Sequence, residues 1–473
     1  MRLNQSYEST PERAGEQASA ELARGLRRRG FLRAAALAAG AGALGYAGAR
    51  QGVQAQVRDA RFHGDDLLSR EQAHQTWYRY KFIGQAIMDN QLVFWLGLAP
   101  TGLTDVGEVL DTATRIRAGD EVSWFEEWLA TAERVRGYGT TALARGHRLS
   151  AASHFYRAGA YQRAGLMRYA RRSDPRLVAA TRSALELHDS ALRLRGYDSK
   201  QVEIPYANSV LHGRVHYAPG VERAKVLVLH QGLHAWPEDT MWVVDGALAR
   251  GYHVLSFHGP GQGASLRLHG HPFRPDWEVP VAAVLDFAER DARLDASRFL
   301  LMGLSFGGYL APRAAAHEPR VHALIADPAV VSWAGSMLRH FESMPGLMRL
   351  HAAGPAAFDR AIDAVTHLVP DARWYFDDVT WKHGVATPHE LIDELRKYDN
   401  PDVARIRCQT LILEGSGEDA TPGESQRFFE ALTCPKQLLR FDASTASQMH
   451  CQGGNQLLAQ AWLFDWLDEQ VRA

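Results

Sequence analysis

Ser305 stands in Gly303-Leu304-Ser305-Phe306-Gly307-Gly308, between the apolar run Phe299-Leu300-Leu301-Met302 and a helical pattern over residues 309–317. A G-x-S-x-G spacing carries little information alone. A strand before it and a helix after it change that, because a tight strand-to-helix turn lifts the serine hydroxyl clear of a sheet, and flanking glycines let the neighbouring backbone come close. A serine hydroxyl is a weak nucleophile until a base takes its proton, so a histidine and a carboxylate to orient it are required. His450 is the only histidine after Phe441, and it lies in a short polar loop at residues 444–452. Two adjacent acids follow the apolar run Leu411-Ile412-Leu413, namely Glu418 and Asp419. A G-x-x-D-x-x-x-P spacing from Gly415 to Pro422 lands on Glu418, whereas residue type favours Asp419; the two stay open, with Asp327 ranked behind them.

Attack on a carbonyl creates an oxyanion that needs two backbone N–H donors. Phe306, next after the nucleophile, supplies one. The loop Gln231-Gly232-Leu233-His234 supplies the other through Leu233 or Gly232. His230 and His234 border that loop and read as structural or solvated histidines. Gly259-Pro260-Gly261-Gln262-Gly263 carries a proline and reads as a turn, not as a nucleotide loop. His269-Gly270-His271 lacks a third ligand at sensible spacing, so no metal and no cofactor are expected.

The elements that must hold these residues can be read from hydrophobic period. From residue 58 to 195 apolar residues recur at helical spacing, with Trp124, Trp128, Phe155, Tyr156 and Tyr161 among them, which predicts an all-helical segment of about six helices. After Tyr197 the pattern changes. Residues 202–207 and 210–217 read as an antiparallel pair, and six apolar strands follow at 225–230, 253–257, 299–303, 321–326, 410–414 and 437–441. Helical segments between most of them predict a mostly parallel sheet covered on both faces. Residues 332–400 are too long for one crossover and rich in Trp, Phe and Tyr, so they read as a lid over the carboxyl ends of the strands.

The N-terminus belongs to a different category. Arg27-Arg28-Arg29-Gly30-Phe31-Leu32-Arg33 followed by an Ala/Gly-rich stretch matches a twin-arginine export signal, with a small-residue cleavage site at Val53-Gln54-Ala55. Export places the mature protein in the periplasm or outside the cell, with no stable membrane anchor after cleavage. The three cysteines, Cys408, Cys434 and Cys451, show no disulfide spacing. Net charge is -1 over 473 residues, so no overall field attracts nucleic acid or anionic membranes.

Taken together, the residues resemble the α/β-hydrolases typified by bacterial dihydroxypseudooxynicotine hydrolase and the fungal pigment-pathway enzymes that shorten polyketides, and more distantly the prolyl-oligopeptidase catalytic domain. The likeness rests on the helical segment ahead of the sheet, His258-Gly259-Pro260-Gly261-Gln262-Gly263, the run from Gly303 to Gly308, Pro388-His389-Glu390-Leu391 and His450-Cys451-Gln452. It implies a Ser/His/acid triad, no cofactor, and hydrolysis of an ester or of a carbon–carbon bond beside a ketone. His258 departs from the acid usual in the family's turn, and the 231–234 loop is poorer in glycine.

The expected architecture is therefore an α/β-hydrolase fold, a mostly parallel eight-stranded sheet with an N-terminal helical domain and a helical lid insertion. Its divisions are an export signal at 1–55, a helical cap at 56–198, core at 199–331, lid at 332–400 and core again at 401–473. The expected partner is a small molecule, aromatic or polyketide-like; a homodimer is compatible with the sequence. A non-catalytic ligand-binding member of the fold and a peptidase of prolyl-oligopeptidase type are the alternatives.

Overall fold

The computed structural model describes residues 76–470, Tyr80 and Pro345 excepted. The export signal expected at residues 1–55 therefore lies outside the described residues. Ahead of the first strand stand α1 (Ala86–Gly97), α2 (Val106–Ala113), α3 (Glu121–Ala144), α4 (Arg148–Met167) and α5 (Pro175–Arg195). Three of these starts are written in the sequence: Asp105, Asp120 and Asp174 each accept a backbone N–H of the turn they open. Gly196 ends α5 with φ of 82°. Where six helices are expected, the described residues hold these five and two single 3-10 turns, at Trp77–Arg79 and Ala99–Thr101. Pro100 and the left-handed Gly102 confine the second of these turns to three residues.

The aromatic stripe of this helical layer is its interior. Trp95, Trp124, Trp128 and Tyr161 are fully buried, the Trp128 and Tyr161 rings stack at 5.5 Å, and Trp124 donates to the Ala164 carbonyl at 2.7 Å. The same apolar cluster runs without a break into Leu227, Leu229, Met302 and Leu304 of the sheet. These rings therefore join the helical layer to the sheet.

The sheet comprises β1 (Ser199–Tyr206), β2 (Ser209–His216), β3 (Ala224–His230), β4 (His253–Phe257), β5 (Leu294–Leu304), β6 (Val321–Asp327), β7 (Gln409–Gly415) and β8 (Lys436–Phe441). Their order is β1-β2-β4-β3-β5-β6-β7-β8. The β1–β2 and β2–β4 pairings are antiparallel and the rest parallel. β5 begins at Leu294, earlier than its apolar run, because Ala224 and Lys225 of β3 pair with Leu294 and Asp295 before the ladder shifts register at Lys225/Val226; Asp295, Ser297 and Arg298 carry no strand signal in the sequence. Helices α6 (Met241–Ala249), α7 (Gly263–His269), α8 (Glu278–Ala288) and α9 (Gly307–Ala315) connect the first strands. The 332–400 stretch forms α10 (Trp333–Glu342), α11 (Leu347–Ala352), α12 (Pro355–Leu368), α13 (Pro370–His383) and α14 (Pro388–Leu395). The chain closes with α15 (Glu424–Ala431) and α16 (Gln456–Gln470). None of the described helices is long and apolar enough to cross a membrane.

One topological fact positions the site. From β3 the chain moves outward to β4 and then returns past β3 to β5, so the loops after β3 and β5 sit side by side at the carboxyl end of the sheet.

Candidate active site

The turn after β5 is strained where the serine sits. Ser305 has φ of 59°, a left-handed conformation that a non-glycine residue holds only at a cost of about 1–3 kcal/mol. The turn is fastened by Ser305 N–H to the Asp327 carbonyl at 2.6 Å and Gly308 N–H to the Ser305 carbonyl at 2.8 Å. Side chains on the neighbouring glycines would not fit. A Cβ on Gly303 would lie 2.1 Å from the Gly307 carbonyl oxygen, and one on Gly308 would lie 1.7 Å from that of Pro328.

The Ser305 hydroxyl lies 2.9 Å from Nε2 of His450. On the other side of the ring, Nδ1 lies 2.5 Å from Glu418 Oε2. Glu418 is itself anchored, its Oε1 accepting the N–H groups of Ala420 and Thr421 at 3.0 Å each. Burial works against charge on Glu418, but His450 and these two N–H donors outweigh it and hold the carboxyl below its usual range. Burial likewise opposes charge on His450, while the Glu418 carboxylate at Nδ1 favours the imidazolium, and the imidazole is raised above its ordinary value. The loop that carries the histidine is also strained, with φ of 49° at both Cys451 and Gln452. Cys451 Sγ donates to the Asp327 carbonyl at 3.2 Å, and Gln452 Nε2 donates to Asp327 Oδ1 at 3.1 Å. Through these bonds β6 supports both the serine turn and the histidine loop.

The two acids left open by the sequence are separated here. Glu418 meets His450, whereas Asp419 Oδ2 faces Arg79 at 3.4 Å. Burial first and Glu418 second push the Asp419 carboxyl up to about 7. Asp327 is fully buried against Gln452, away from the imidazole nitrogens, and burial pushes it up to about 7.

Beside the serine, Gly232 packs so closely that a Cβ there would lie 2.5 Å from the Phe306 nitrogen and 2.9 Å from Ser305 Cβ. The N–H groups of Phe306 and Leu233 have no hydrogen-bond acceptor among the described residues. Phe306 directly follows Ser305 in the chain, and Leu233 directly follows the Gly232 that packs on Ser305 Cβ.

The bordering histidines have partners. His230 Nδ1 donates to the Gln231 carbonyl at 3.1 Å, and its ring is buried between Phe257 and Trp277. His234 Nε2 lies 3.0 Å from Asp378 Oδ2, which also takes Lys382 Nζ at 2.7 Å. This network was not legible in the sequence, because Asp378 and Lys382 reach His234 from α13, over 140 residues away. His258, the departure from the family's turn, pairs instead with Glu238 at 3.1 Å.

His269 Nε2 meets His212 Nε2 at 2.8 Å in a histidine–histidine hydrogen bond. In the 332–400 stretch His351, His389 and Asp393 come within ligand reach of one another. The two imidazoles, however, stack at 4.0 Å and 8°, so their in-plane lone pairs run parallel and do not converge on one point.

Residues 226–451 match the model of the alpha/beta hydrolase family. The chain is 30% identical over 430 residues to Hydrolase acrC of Aspergillus aculeatus, covering 83% of this chain and 98% of that one. The chain belongs to the alpha/beta hydrolase family. This α/β-hydrolase is also 31% identical to 20-hydroxy-prefusarin hydrolase FUS2 of Gibberella moniliformis, over 79% of its own length and 94% of the relative's. Among solved structures, 2,6-dihydroxy-pseudo-oxynicotine hydrolase shares its fold with a TM-score of 0.57 at 19% identity, over 78% of this chain and 95% of that one. AbyA5 aligns with a TM-score of 0.52 at 18% identity, over 79% and 98%. The eight-stranded, mostly parallel sheet with added helices agrees with that fold.

Proposed function

We propose that this α/β-hydrolase is a serine-dependent hydrolase of a small carbonyl compound, acting through an acyl-enzyme on an ester or on a carbon–carbon bond beside a ketone. The observation that carries the reading is the hydrogen-bonded line from Ser305 Oγ to His450 Nε2 at 2.9 Å and from His450 Nδ1 to Glu418 at 2.5 Å. His450 takes the serine proton as Oγ attacks the carbonyl carbon. Glu418 holds the tautomer that leaves Nε2 free and stabilises the imidazolium. The N–H groups of Phe306 and Leu233 receive the oxyanion. As the tetrahedral intermediate collapses, His450 returns the proton to the departing alkoxide of an ester, or to the departing carbon of a β-diketone. Water then releases the acyl group by the same steps in reverse order.

Substrate selection falls to what covers the serine, because the proton relay and oxyanion donors are common to the whole fold. In the lid, the Trp333 ring stacks on Phe306 at 4.2 Å and the Trp374 ring on His234 at 5.4 Å. Aromatic walls suit an aromatic or polyketide-like molecule. Two of the similar proteins are named as hydrolases of 20-hydroxy-prefusarin and of 2,6-dihydroxy-pseudo-oxynicotine, which supports this class. We extend the proposal to location: residues 1–55 direct export by the twin-arginine route.

The test is Ser305→Ala assayed on short p-nitrophenyl esters. Loss of at least roughly 1,000-fold in kcat is expected. Activity within a few-fold of the parent refutes Ser305 as nucleophile.

A further inference from the structure

Gln262 stands at the start of α7 yet does not cap it, since its side chain accepts nothing from that helix. It is 1% exposed and reaches across to the loop after β3. Oε1 accepts the Gly259 N–H at 2.9 Å, which folds the glycine-rich turn back on itself. Nε2 donates to two successive carbonyls, those of Gln231 and, at 3.2 Å, Gly232. Both amide hydrogens are thereby spent on the loop that borders Ser305.

A trans peptide unit is planar, and its C=O and N–H point in opposite directions. The Gly232 carbonyl and the Leu233 N–H belong to one such unit. Holding that carbonyl towards Gln262 turns the Leu233 N–H the other way. The loop itself lies against the serine turn, where a Gly232 Cβ would be 2.5 Å from the Phe306 nitrogen. The Gln231 carbonyl is held twice over, by Gln262 Nε2 and by His230 Nδ1 at 3.1 Å, which removes the neighbouring hinge as well. No other side chain among the described residues donates to the Gly232 carbonyl.

We propose that Gln262 is a positioning residue of the oxyanion pocket, aiming the Leu233 N–H by clamping the carbonyls of Gln231 and Gly232. This rests on the Ser305 reading above. An oxyanion donor acts only when charge develops, so its misalignment lowers kcat and spares ground-state binding.

The experiment uses Gln262→Met, which keeps length and bulk but removes both hydrogen-bonding groups. On p-nitrophenyl acetate kcat is expected to fall roughly 10- to 100-fold with KM within about threefold. A trifluoromethyl ketone, which adds Ser305 Oγ to form an oxyanion, should weaken by a similar factor. The matching methyl ketone, which stays uncharged, should bind within about threefold of its affinity for the parent. Gln262→Glu keeps the bond to the Gly259 N–H but sets an acceptor against two carbonyls; the same split is expected of it, and it decides the matter if Gln262→Met does not fold. Equal losses for both ketones, or an unchanged kcat, overturn the role of Gln262. If instead Ser305→Ala binds the trifluoromethyl ketone as tightly as the parent does, the nucleophile reading is the one that falls.

Discussion

Replacing Glu418 by Gln tests the proton relay at its most discriminating point. In the parent, Oε1 accepts two backbone N–H groups at 3.0 Å and Oε2 accepts His450 Nδ1–H at 2.5 Å. A glutamine has one acceptor for these two places. The N–H groups of Ala420 and Thr421 cannot rotate away and face only an oxygen without conflict, so the amide oxygen goes to them. The NH2 group then faces His450 Nδ1 and can bond only to its lone pair, which moves the imidazole proton to Nε2. That tautomer points a hydrogen at Ser305 and cannot accept the serine proton. The expected loss in kcat is therefore roughly 10,000-fold, or about 5.5 kcal/mol of transition-state stabilisation. Asp419→Asn is the control, because its carboxylate faces Arg79. It should stay within about tenfold of the parent. Steady-state kcat on p-nitrophenyl acetate and the rate of fluorophosphonate labelling measure both. Glu418→Gln within tenfold of the parent, or Asp419→Asn losing as much, would refute the assignment of Glu418.

Further outcomes follow from the buried charges. Because His450 must be neutral to accept a proton and the Glu418 carboxylate raises its pKa, kcat/KM should rise with pH through an inflection above 6.5; an inflection below that value would show that burial outweighs Glu418. Asp327 has its folded pKa pushed up to about 7 from 3.8. Its protonated form is favoured by folding, so its contribution is fully present below the unfolded value and is lost as pH rises through about 7. Asp327→Asn should accordingly gain stability over the parent between pH 4 and pH 8, reaching up to about 4 kcal/mol; a Tm difference that does not grow with pH opposes this. Asp378→Asn leaves the Lys382 ammonium, 1% exposed, without its acid partner. Urea denaturation should show a loss of about 3–5 kcal/mol, and a loss under about 1 kcal/mol would show that Asp378 is not tying α13, through His234, to the loop after β3.

Much of the fold and part of the site were legible in the chain. The strands of the sheet stand out because a buried parallel strand must be a short, continuous apolar run, as in Val226 to His230 and His253 to Phe257. Ser305 stands out because its chemistry depends on a local event, a strand ending in a glycine-flanked turn. His450 follows because the loop after the last strand offers no other imidazole. What stayed hidden are relations between residues remote in sequence. Glu418 and Asp419 are equivalent as letters; only the folding of the 415–421 loop, which spends Glu418 Oε1 on two N–H groups, turns one acid to His450 and the other to Arg79. Gln262 reads as part of a turn until the sheet sets β3 between β4 and β5 and brings its amide to the Gly232 carbonyl. The aromatic stripe at Trp124 and Trp128 announces a helix, but whether it lines a pocket or fills a core depends on what packs against it. Residue type and local period thus determine which elements form and which side chains could react; the direction of each hydrogen bond is decided by tertiary packing, because a bond needs a partner within about 3 Å and local period does not say what comes that close.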